Sequence, residues 1–441
     1  MKAKRKILLI QPTPYDNNGE PIKKKKLYFP GLALPLIAAL TPESWEVETC
    51  LETIESIPFD TDADLVGISS MGHGVIRSFD IAKQFRELGK TVVLGGYMVS
   101  LIPEEAKKYC DTVAIGDIEE TWKDLLSDFE TGQLKPFYQK TLKELRTPVP
   151  KYELLLNKNI GGFLPVQAGR GCPHSCSFCS IYCLYRNRYY RREIDDVIRD
   201  IKKVKSLGFK QFLLLDDNIA SRPKYMIELC KAIAPLKMKW LSQCSLSIAD
   251  NPELLKHASA AGCTTLSFGL ESISQESLDS MQKPWCRTDD YKRQLKTIRD
   301  AGIHLSTEMV IGAEGDTLES IKKTAKFISD TKIAVPRFYI LTPIPGTDYF
   351  KELKEQNRIY LKDMYAYNGS QAVHYPANMT PEELTEAYWN LYKEVFSFGN
   401  IFRRTIFSLL LLKNPLMCLF FLMVNLYYRH FIKHRIPPNI I

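Results

Sequence analysis

Two successive series of alternating strand-like and helix-like segments organise most of this 441-residue chain. In residues 1–135, short apolar runs such as 6–12 and 91–95 alternate with amphipathic runs such as 76–88. Strands that alternate with helices predict a parallel sheet with helices on both faces. We therefore expect an α/β protein in which residues 1–135 form a doubly wound sheet of the flavodoxin-like or Rossmann-like kind.

A second alternating series follows a proline-containing linker at 136–158. Strands are expected at 163–168, 211–215, 239–246, 265–269, 304–311 and 337–341. Six strand–helix units over residues 159–360 are typical of a partial (β/α)6 TIM-like barrel, with its working residues at the C-terminal strand ends. Residues 361–441 are expected to form a helical C-terminal segment.

The tail at 405–428 is strongly apolar, but Lys413, Asn414 and Pro415 interrupt it. Each of its two apolar runs is shorter than the ~20 residues that span a bilayer. We expect two short helices lying in one leaflet, with Tyr427, Tyr428, Arg429 and Lys433 at the headgroups. A docked helical hairpin or a dimer surface is the alternative.

The net charge of +8 lies largely in the tail, since residues 400–441 carry six Lys and Arg residues and no Asp or Glu. The rest of the chain is close to neutral, which argues against a nucleic-acid partner. The basic tail favours anionic lipid. With no secretory signal in the sequence, we expect a cytoplasmic protein with peripheral contact at the inner face of the membrane.

Three cysteines, Cys172, Cys176 and Cys179, lie within eight residues on a loop that follows the first strand of the second series. Cysteine thiolates are the usual ligands of iron–sulfur clusters, and three of them leave one iron open. A zinc knuckle is the alternative, but structural zinc sites take four protein ligands in short pairs. Cys183 could close a cluster as a fourth ligand; we expect it to be a small buried hydrophobe instead. Most of the other cysteines in this chain of eleven are expected to be buried and free of disulfides.

Polar and glycine residues follow several predicted strands, at the sheet edge where ligands bind in such folds. The first series places a candidate cradle at Ser69, Gly95, Gly96 and Gly116. The second series places Asp216, Glu271 and Gly312 at strand ends. Asp216 could equally be a helix cap, and Glu271 a solvated loop acid.

The Cys-x3-Cys-x2-Cys spacing, with the aromatic Phe178 before the last cysteine, resembles the signature of the radical S-adenosylmethionine (SAM) superfamily. Four further segments are similar to the subgroup that carries an N-terminal cobalamin-binding domain. They read LLDDN at 214–218, FGLES at 268–272, VIGAEG at 310–315 and LTPIPGT at 341–347.

The resemblance implies that Cys172, Cys176 and Cys179 ligate a [4Fe–4S] cluster whose open iron takes the amino and carboxyl groups of SAM. One electron then splits a carbon–sulfur bond of SAM and gives a 5′-deoxyadenosyl radical. The resemblance also implies that Phe178 lies against the adenine, that Asp216 and Glu271 help to bind SAM, and that the Gly312 region lines the adenosine.

The first series resembles a cobalamin domain with two departures from the usual pattern. Met98 stands where a histidine often follows the paired glycines, and no Asp-x-His-x-x-Gly stretch is present. The resemblance therefore implies cobalamin held by the glycine-rich strand ends without a protein ligand to cobalt.

We expect an enzyme that functionalises an unactivated C–H of a lipophilic substrate such as an isoprenoid, acyl lipid or tetrapyrrole, by cobalamin-dependent C-methylation. The reductant is expected to be a flavodoxin or ferredoxin, and the sequence assigns no catalytic residue. Radical ring or bond formation without cobalamin is one alternative, and a non-catalytic electron carrier is another. Methylthiolation of tRNA fits less well, because only Cys50 and Cys110 precede Cys172.

Overall fold

The computed structural model describes residues 4–16, 18–412 and 415–438. The chain divides into two compact units. The first holds residues up to Ala168 together with Tyr190–Phe212, and the second holds Gly169–Tyr189 and the chain from Leu213 onward.

The first unit contains a parallel sheet with six strands in its described residues, in the order β2-β1-β3-β4-β5-β6. This is the flavodoxin-like order extended by one strand, so the expected doubly wound fold is confirmed. Residues 7–10 of β1 are four consecutive buried apolar residues, as expected for a strand covered on both faces. The strands are β1 (Arg5–Gln11), β2 (Trp45–Leu51), β3 (Leu65–Ser69), β4 (Thr91–Gly95), β5 (Thr112–Ile115) and β6 (Phe137–Gln139).

Helices follow every strand of this sheet except β2, after which the chain leads directly into β3. They are α1 (Ala33–Leu40), α2 (Gly74–Glu87), α3 (Tyr97–Leu101), α4 (Pro103–Lys107), α5 (Trp122–Glu130) and α6 (Glu153–Leu156). The segment 136–158, expected to be a linker, carries β6 and α6, and β6 pairs in parallel with β5.

A second sheet with six strands in the described residues has the order β14-β13-β12-β11-β10-β7, and β11 to β14 pair in parallel. This is the expected partial barrel. Its strands are β7 (Leu164–Gln167), β10 (Gln211–Leu215), β11 (Lys239–Cys244), β12 (Cys263–Glu271), β13 (His304–Ile311) and β14 (Val335–Ile340). A separate short ribbon pairs β8 (Gly169–Gly171) with β9 (Tyr189–Arg191).

Helices connect the barrel strands and continue beyond them. In β12, Leu266, Phe268 and Leu270 are fully buried while Ser267 and Gly269 between them are half-buried, because successive side chains point to opposite faces of a strand. The helices are α7 (Ser180–Tyr185), α8 (Ile194–Ser206), α9 (Pro223–Ile233), α10 (Pro252–Ala260), α11 (Gln275–Ser280), α12 (Tyr291–Asp300), α13 (Leu318–Thr331), α14 (Asp348–Glu355), α15 (Pro381–Val395), α16 (Phe398–Leu412) and α17 (Pro415–Lys433).

The edge strand β14 is covered by a tyrosine of α15. The buried hydroxyl of Tyr392 accepts a hydrogen bond from the backbone N–H of Phe338 (2.9 Å) and donates one to its carbonyl oxygen (3.1 Å). An exposed strand edge can pair with another chain, so this side chain stabilises and blocks the edge of the barrel sheet.

The C-terminal helices dock on the barrel through a buried polar clamp. The Arg404 guanidinium donates to Asn425 Oδ1 (2.7 Å), and Asn425 Nδ2 donates to the carbonyl of Ala334, just before β14 (2.9 Å). Both side chains are fully buried. The face of α16 and α17 that carries this clamp is therefore packed against the barrel, as the docked-hairpin alternative predicts.

The expectation that Tyr428 and Arg429 lie at lipid headgroups is wrong. Tyr428 is fully buried against Phe396, and Arg429 donates to the Phe396 carbonyl while stacking on the ring of Phe398. Both side chains hold α17 against the preceding helices. Lys413 and Asn414 lie outside the described residues. None of the helices in the described ranges is both long enough and apolar enough to cross a membrane.

Candidate functional site

The three predicted cluster ligands lie on one loop between β8 and α7. The position just before this loop requires glycine. Gly171 has φ +87°, and a Cβ there would lie 2.1 Å from the carbonyl oxygen of Arg188. Cys179 N–H donates to the carbonyl of Cys176 (3.1 Å), which closes a turn that carries the half-buried Phe178. The middle of the loop is fixed from outside, because Ser177 N–H donates to Met281 O and Ser177 O accepts from Tyr349 N–H.

The accessibility of the thiols separates the loop cysteines from the others. All eleven cysteines are free, and Cys172, Cys176, Cys179 and Cys183 are partly exposed while the other seven are buried. Burial raises the pKa of Cys172 and that of Cys179, the latter to about 11. Burial also raises the pKa of Cys176, and the charges of its two partner thiols add to the effect. The raised pKa values mean that burying three thiolates close together costs free energy. A positively charged ligand that replaces the thiol protons would remove this cost.

Cys183 has a different environment. It lies in the first turn of α7, where its N–H donates to Cys179 O, and burial raises the pKa of its thiol. The charges that act on it come from Asp348, Arg186 and Lys351, whereas Cys172 and Cys179 are among those that act on Cys176. That Cys183 is not a fourth ligand stays a prediction.

The end of β10 holds the start of the cysteine loop. Asp217 Oδ2 accepts from the backbone N–H of Gly171 (2.6 Å), and the Asn218 amide nitrogen lies 4.0 Å from Cys172 Sγ. Asp216 accepts from the hydroxyl of Tyr189 (2.6 Å) and from Asn218 N–H (2.8 Å). Burial raises the pKa of Asp216 to about 7.

Asp216 was expected to bind a cofactor, and in the structure both of its oxygens accept hydrogen bonds from the chain itself. The bond from Asn218 N–H is a local bond of the kind that Asp side chains make with the backbone two residues on. Its role toward SAM therefore stays a prediction, while its role in ordering the β10 end is observed.

Glu271, at the end of β12, has a left-handed backbone conformation (φ +59°) next to a register shift between β12 and β13. Residues held in this conformation cluster at functional sites. Its carboxylate is buried and accepts a hydrogen bond from the ammonium of Lys283 (2.8 Å). It is therefore a buried ion-pair member and not a solvated loop acid.

Gly312 directly follows β13 and has φ +92°, and a Cβ there would lie 2.5 Å from Leu384 of α15. The buried Asp316 holds this turn, because its Oδ2 accepts from the N–H groups of Gly312 (2.8 Å) and Ala313 (3.2 Å). Its Oδ1 accepts from the hydroxyl of Ser277 (2.7 Å). Burial raises the pKa of Asp316, and these donors oppose the shift.

The glycine-rich strand ends of the first unit meet at one edge of its sheet. Ser69 is in register with Gly95, and a Cβ on Gly96 would lie 2.1 Å from the carbonyl oxygen of Ser70. Gly116 N–H donates to Ser100 Oγ, and a Cβ at Gly116 would meet open space.

Sequence reasoning missed Lys283, Asp316, Tyr189 and Trp285. Trp285 stacks on His174 of the cysteine loop, with ring centroids 4.1 Å apart. Asp316 follows Gly312 closely enough to suggest a turn. Lys283, Tyr189 and Trp285 have partners far away in the chain, so no local pattern marks them.

The residues present fit the expected groups. In the described part of the chain, no three His, Cys, Asp or Glu side chains are arranged to hold a single metal ion. A cubane takes each thiolate on a different iron, so its ligands need not converge on one point. In the first unit, the hydroxyl of Ser70 is buried without a hydrogen-bond partner beside the glycine edge. A ligand rich in amides, as cobalamin is, would satisfy such a group.

Residues 166–328 match the Radical SAM superfamily. Bacteriochlorophyllide d C-12(1)-methyltransferase of Chlorobaculum tepidum is 31% identical over 417 residues, which cover 91% of this chain and 90% of that protein. Bacteriochlorophyllide d C-8(2)-methyltransferase of the same organism is 28% identical over 396 residues, covering 86% and 88%.

Among solved structures, the cobalamin-dependent S-adenosylmethionine radical enzyme OxsB with aqua-cobalamin and S-adenosylmethionine bound is similar, with a TM-score of 0.69. The match covers 98% of this chain and 72% of that chain at 14% identity. At this identity the likeness concerns the fold, and it extends over both units.

Proposed function

This chain belongs to the radical SAM superfamily, in the branch with an N-terminal cobalamin-binding domain, and we propose that it transfers a methyl group to a carbon of a tetrapyrrole. The enzyme class is that of a SAM-cleaving methyltransferase, with a [4Fe–4S] cluster, SAM and cobalamin as its cofactors. When bound, the cluster supplies the electron that splits SAM, and cobalamin carries the methyl group.

The observation that carries the proposal is the match over nearly the whole chain to methyltransferases named for bacteriochlorophyllide, together with the three accessible loop cysteines. Cys172, Cys176 and Cys179 would hold the cluster and leave one iron open. A tetrapyrrole is one of the lipophilic substrate classes expected from the sequence.

The chain's own residues prepare the site before any ligand binds. Asp217 fixes Gly171 at the start of the cysteine loop, and Asp316 fixes the turn at Gly312. We propose that this turn lines the adenosine of SAM and that Phe178 covers the adenine. Gly95 and Gly96 would let the corrin ring approach the backbone at the edge of the first sheet, where a side chain would block it.

The test is an anaerobic assay of the cofactor-loaded enzyme with a reductant, SAM and a panel of candidate substrates: bacteriochlorophyllide-type tetrapyrroles, isoprenoids and acyl lipids. Mass spectrometry should find a product heavier by one methylene unit, and Cys176→Ala should give none. Modification of only isoprenoids or acyl lipids would overturn the tetrapyrrole assignment. A cyclised product with an unchanged carbon count, formed without cobalamin, would overturn methylation.

We also propose that the outer face of α16 and α17 contacts a membrane surface. Large apolar side chains are exposed at helical spacing on both helices, with His430, Lys433 and His434 exposed near the end of α17. The apolar residues are Phe398, Phe402, Ile406, Leu419, Phe420, Met423 and Tyr427. Exposed apolar patches of this kind mark interaction surfaces, and the basic end suits anionic headgroups.

The basic residues of the tail contribute less to lipid attraction than their number suggests. Arg404 is buried in the clamp, Arg403 pairs with Asp330 and Arg435 pairs with Glu386. Binding to vesicles should therefore depend more on apolar side chains than on lipid charge. Phe402→Ser with Met423→Ser should abolish co-sedimentation with vesicles of phosphatidylglycerol and phosphatidylcholine, whereas Tyr365→Ser, at an exposed site elsewhere, should not. No sedimentation of the unaltered protein, or equal sedimentation of all variants, would overturn this contact.

A further inference from the structure

A buried ion pair lies beside the cysteine loop in the second unit. Lys283 is 8% exposed, and its ammonium donates to Glu271 Oε1 (2.8 Å) and to the carbonyl oxygen of Gly269 (2.6 Å). Both partners belong to the end of β12. A lysine is rarely this buried unless it is paired, so the site is built to hold a charge.

The segment that carries Lys283 is attached to the cysteine loop at two points. Ser177 N–H donates to the carbonyl of Met281, and the His174 ring stacks on Trp285 at 4.1 Å with an interplanar angle of 10°. These contacts place Lys283 between two positions that touch the loop. Its charge acts on the thiols of Cys172 and Cys176.

Lys283 and Glu271 shift the pKa of Cys176 in opposite directions. The charge of Lys283 favours the thiolate of Cys176, and the charge of Glu271 disfavours it. Burial, the largest single effect, would lower the pKa of Lys283. The charge and hydrogen bond of Glu271, together with the charges of Cys286 and Cys176, outweigh burial, so the pKa is raised. Lys283 therefore remains an ammonium ion at neutral pH.

A fixed charge near an iron–sulfur cluster changes how readily the cluster takes an electron. Reduction adds one negative charge to the cluster, and a buried charge interacts with it more strongly than an exposed one because the surroundings are less polarisable. The net charge around a cluster is among the factors that set its reduction potential. An ammonium should therefore favour the reduced cluster, and a carboxylate should disfavour it.

We propose that the Lys283–Glu271 pair sets the reduction potential of the [4Fe–4S] cluster, with Lys283 raising it and Glu271 lowering it. This rests on the proposed function, because it requires the cluster at Cys172, Cys176 and Cys179. The process is a one-electron reduction in which the electron comes from the chemical reductant and no covalent bond forms or breaks. Lys283 and Glu271 are positioning residues in this role, since they act on the cluster through their charge.

The experiment is a reductive titration of the reconstituted cluster, followed by electron paramagnetic resonance in the absence of SAM. Lys283→Met should lower the midpoint potential, and Glu271→Gln should raise it. Each should change the ratio of reduced to oxidised cluster at a fixed potential by about tenfold, which is about 59 mV for one electron. The double variant should return close to the unaltered protein, and Lys283→Arg should keep its potential.

Lys256→Met removes an exposed lysine in the same unit and should leave the midpoint unchanged. A purely structural role of the pair would move both single variants in the same direction, and the double variant furthest. That result, or equal potentials in all variants, would overturn the inference. If Lys283→Met fails to assemble a cluster, Glu271→Gln decides alone: a higher midpoint supports the inference and an unchanged one overturns it.

Failure of the proposed function would appear differently in the same experiment. The unaltered protein would then assemble no [4Fe–4S] signal, or its cluster would require Cys183. A normal cluster with an unchanged midpoint in the variants would leave the proposed function intact and remove the inference about Lys283 and Glu271.

Discussion

Asp217 Oδ2 accepts a hydrogen bond from the backbone N–H of Gly171 at 2.6 Å, so the end of strand β10 holds the residue that precedes Cys172, the first predicted cluster ligand. A hydrogen bond to a charged group contributes about 1.5–3 kcal/mol. Removing this acceptor should therefore loosen the loop before the cluster forms.

Asp217→Ala should reduce the iron and sulfide content of the reconstituted protein severalfold, because Cys172 would no longer be held in place. The control is Glu253→Ala, which removes an exposed carboxylate from α10 in the same unit. Chemical analysis of iron and sulfide after gel filtration measures the effect. Equal contents in both variants would contradict the role of Asp217.

Asp216 should make the stability of the protein depend on pH. Burial raises its pKa from 3.8 to about 7, so the folded chain keeps a proton that the unfolded chain releases over this range. Its contribution to stability is full below the lower value and is lost as pH rises through about 7. The slope is about 1.4 kcal/mol per pH unit within the window.

Asp216→Asn should remove this dependence, so the variant should gain stability relative to the unaltered protein as pH rises from about 5 to about 8. Thermal unfolding of the protein without cofactors at several pH values measures the difference between the two. Asp195→Asn, at an exposed carboxylate of α8, should show a constant difference. A constant difference for Asp216→Asn as well would contradict the assigned shift.

Gly96 should be intolerant of any side chain. Its backbone (φ +104°, ψ 169°) is a conformation that glycine alone adopts readily, and a Cβ would lie 2.1 Å from the carbonyl oxygen of Ser70. Gly208→Ala is the matched control, because Gly208 also has positive φ (+90°) but has nothing within 4 Å.

We expect Gly208→Ala to cost about 1–2 kcal/mol for backbone strain. Gly96→Ala should cost more and should also weaken cobalamin binding, since the strand edge must shift. Urea unfolding and the absorbance of cobalamin retained after desalting measure the two effects. Equal costs and full cobalamin retention would contradict the close approach at Gly96.

Asp316 should control SAM affinity without touching the cysteine loop. Its carboxylate holds the N–H groups of Gly312 and Ala313, so Asp316→Ala leaves both donors unpaired in a buried turn. We expect SAM binding to weaken by at least about tenfold, from a loss of roughly 1.5–3 kcal/mol per charged hydrogen bond. Isothermal titration with the cluster-loaded protein measures it, and iron content should stay normal. Glu319→Gln, at an exposed site in the first turn of α13, should bind SAM normally.

The regular elements could be predicted because their periodicity is local. The strands at 211–215 and 304–311 begin and end where the apolar pattern indicated, and the strand at 91–95 does as well. Strand β6 was not predicted, because three residues are too few to show an alternation and its apolar partner strand lies elsewhere in the chain. The β8–β9 ribbon was missed for the same reason.

The loop that carries Cys172, Cys176 and Cys179 could be located from the sequence because the three cysteines lie within eight residues of each other. The role of Lys283 could not be predicted, because it depends on the ion pair with Glu271 and on the tertiary fold that lets both charges act on Cys176. The tail was predicted to be helical, but the burial of Arg404 and Tyr428 depends on Asn425, Phe396 and the edge of the barrel. From composition alone, Arg404 would be expected to be an exposed charge and Tyr428 an exposed aromatic side chain.

The most direct test compares the reduced, reconstituted protein with its Cys176→Ala and Cys183→Ala variants in the presence of SAM. A cluster held by three thiolates predicts that SAM changes the electron paramagnetic resonance signal. It also predicts that 5′-deoxyadenosine forms in the unaltered protein and in Cys183→Ala, but not in Cys176→Ala. A signal that ignores SAM in the unaltered protein, or a cluster that is lost when Cys183 is replaced, would contradict the account.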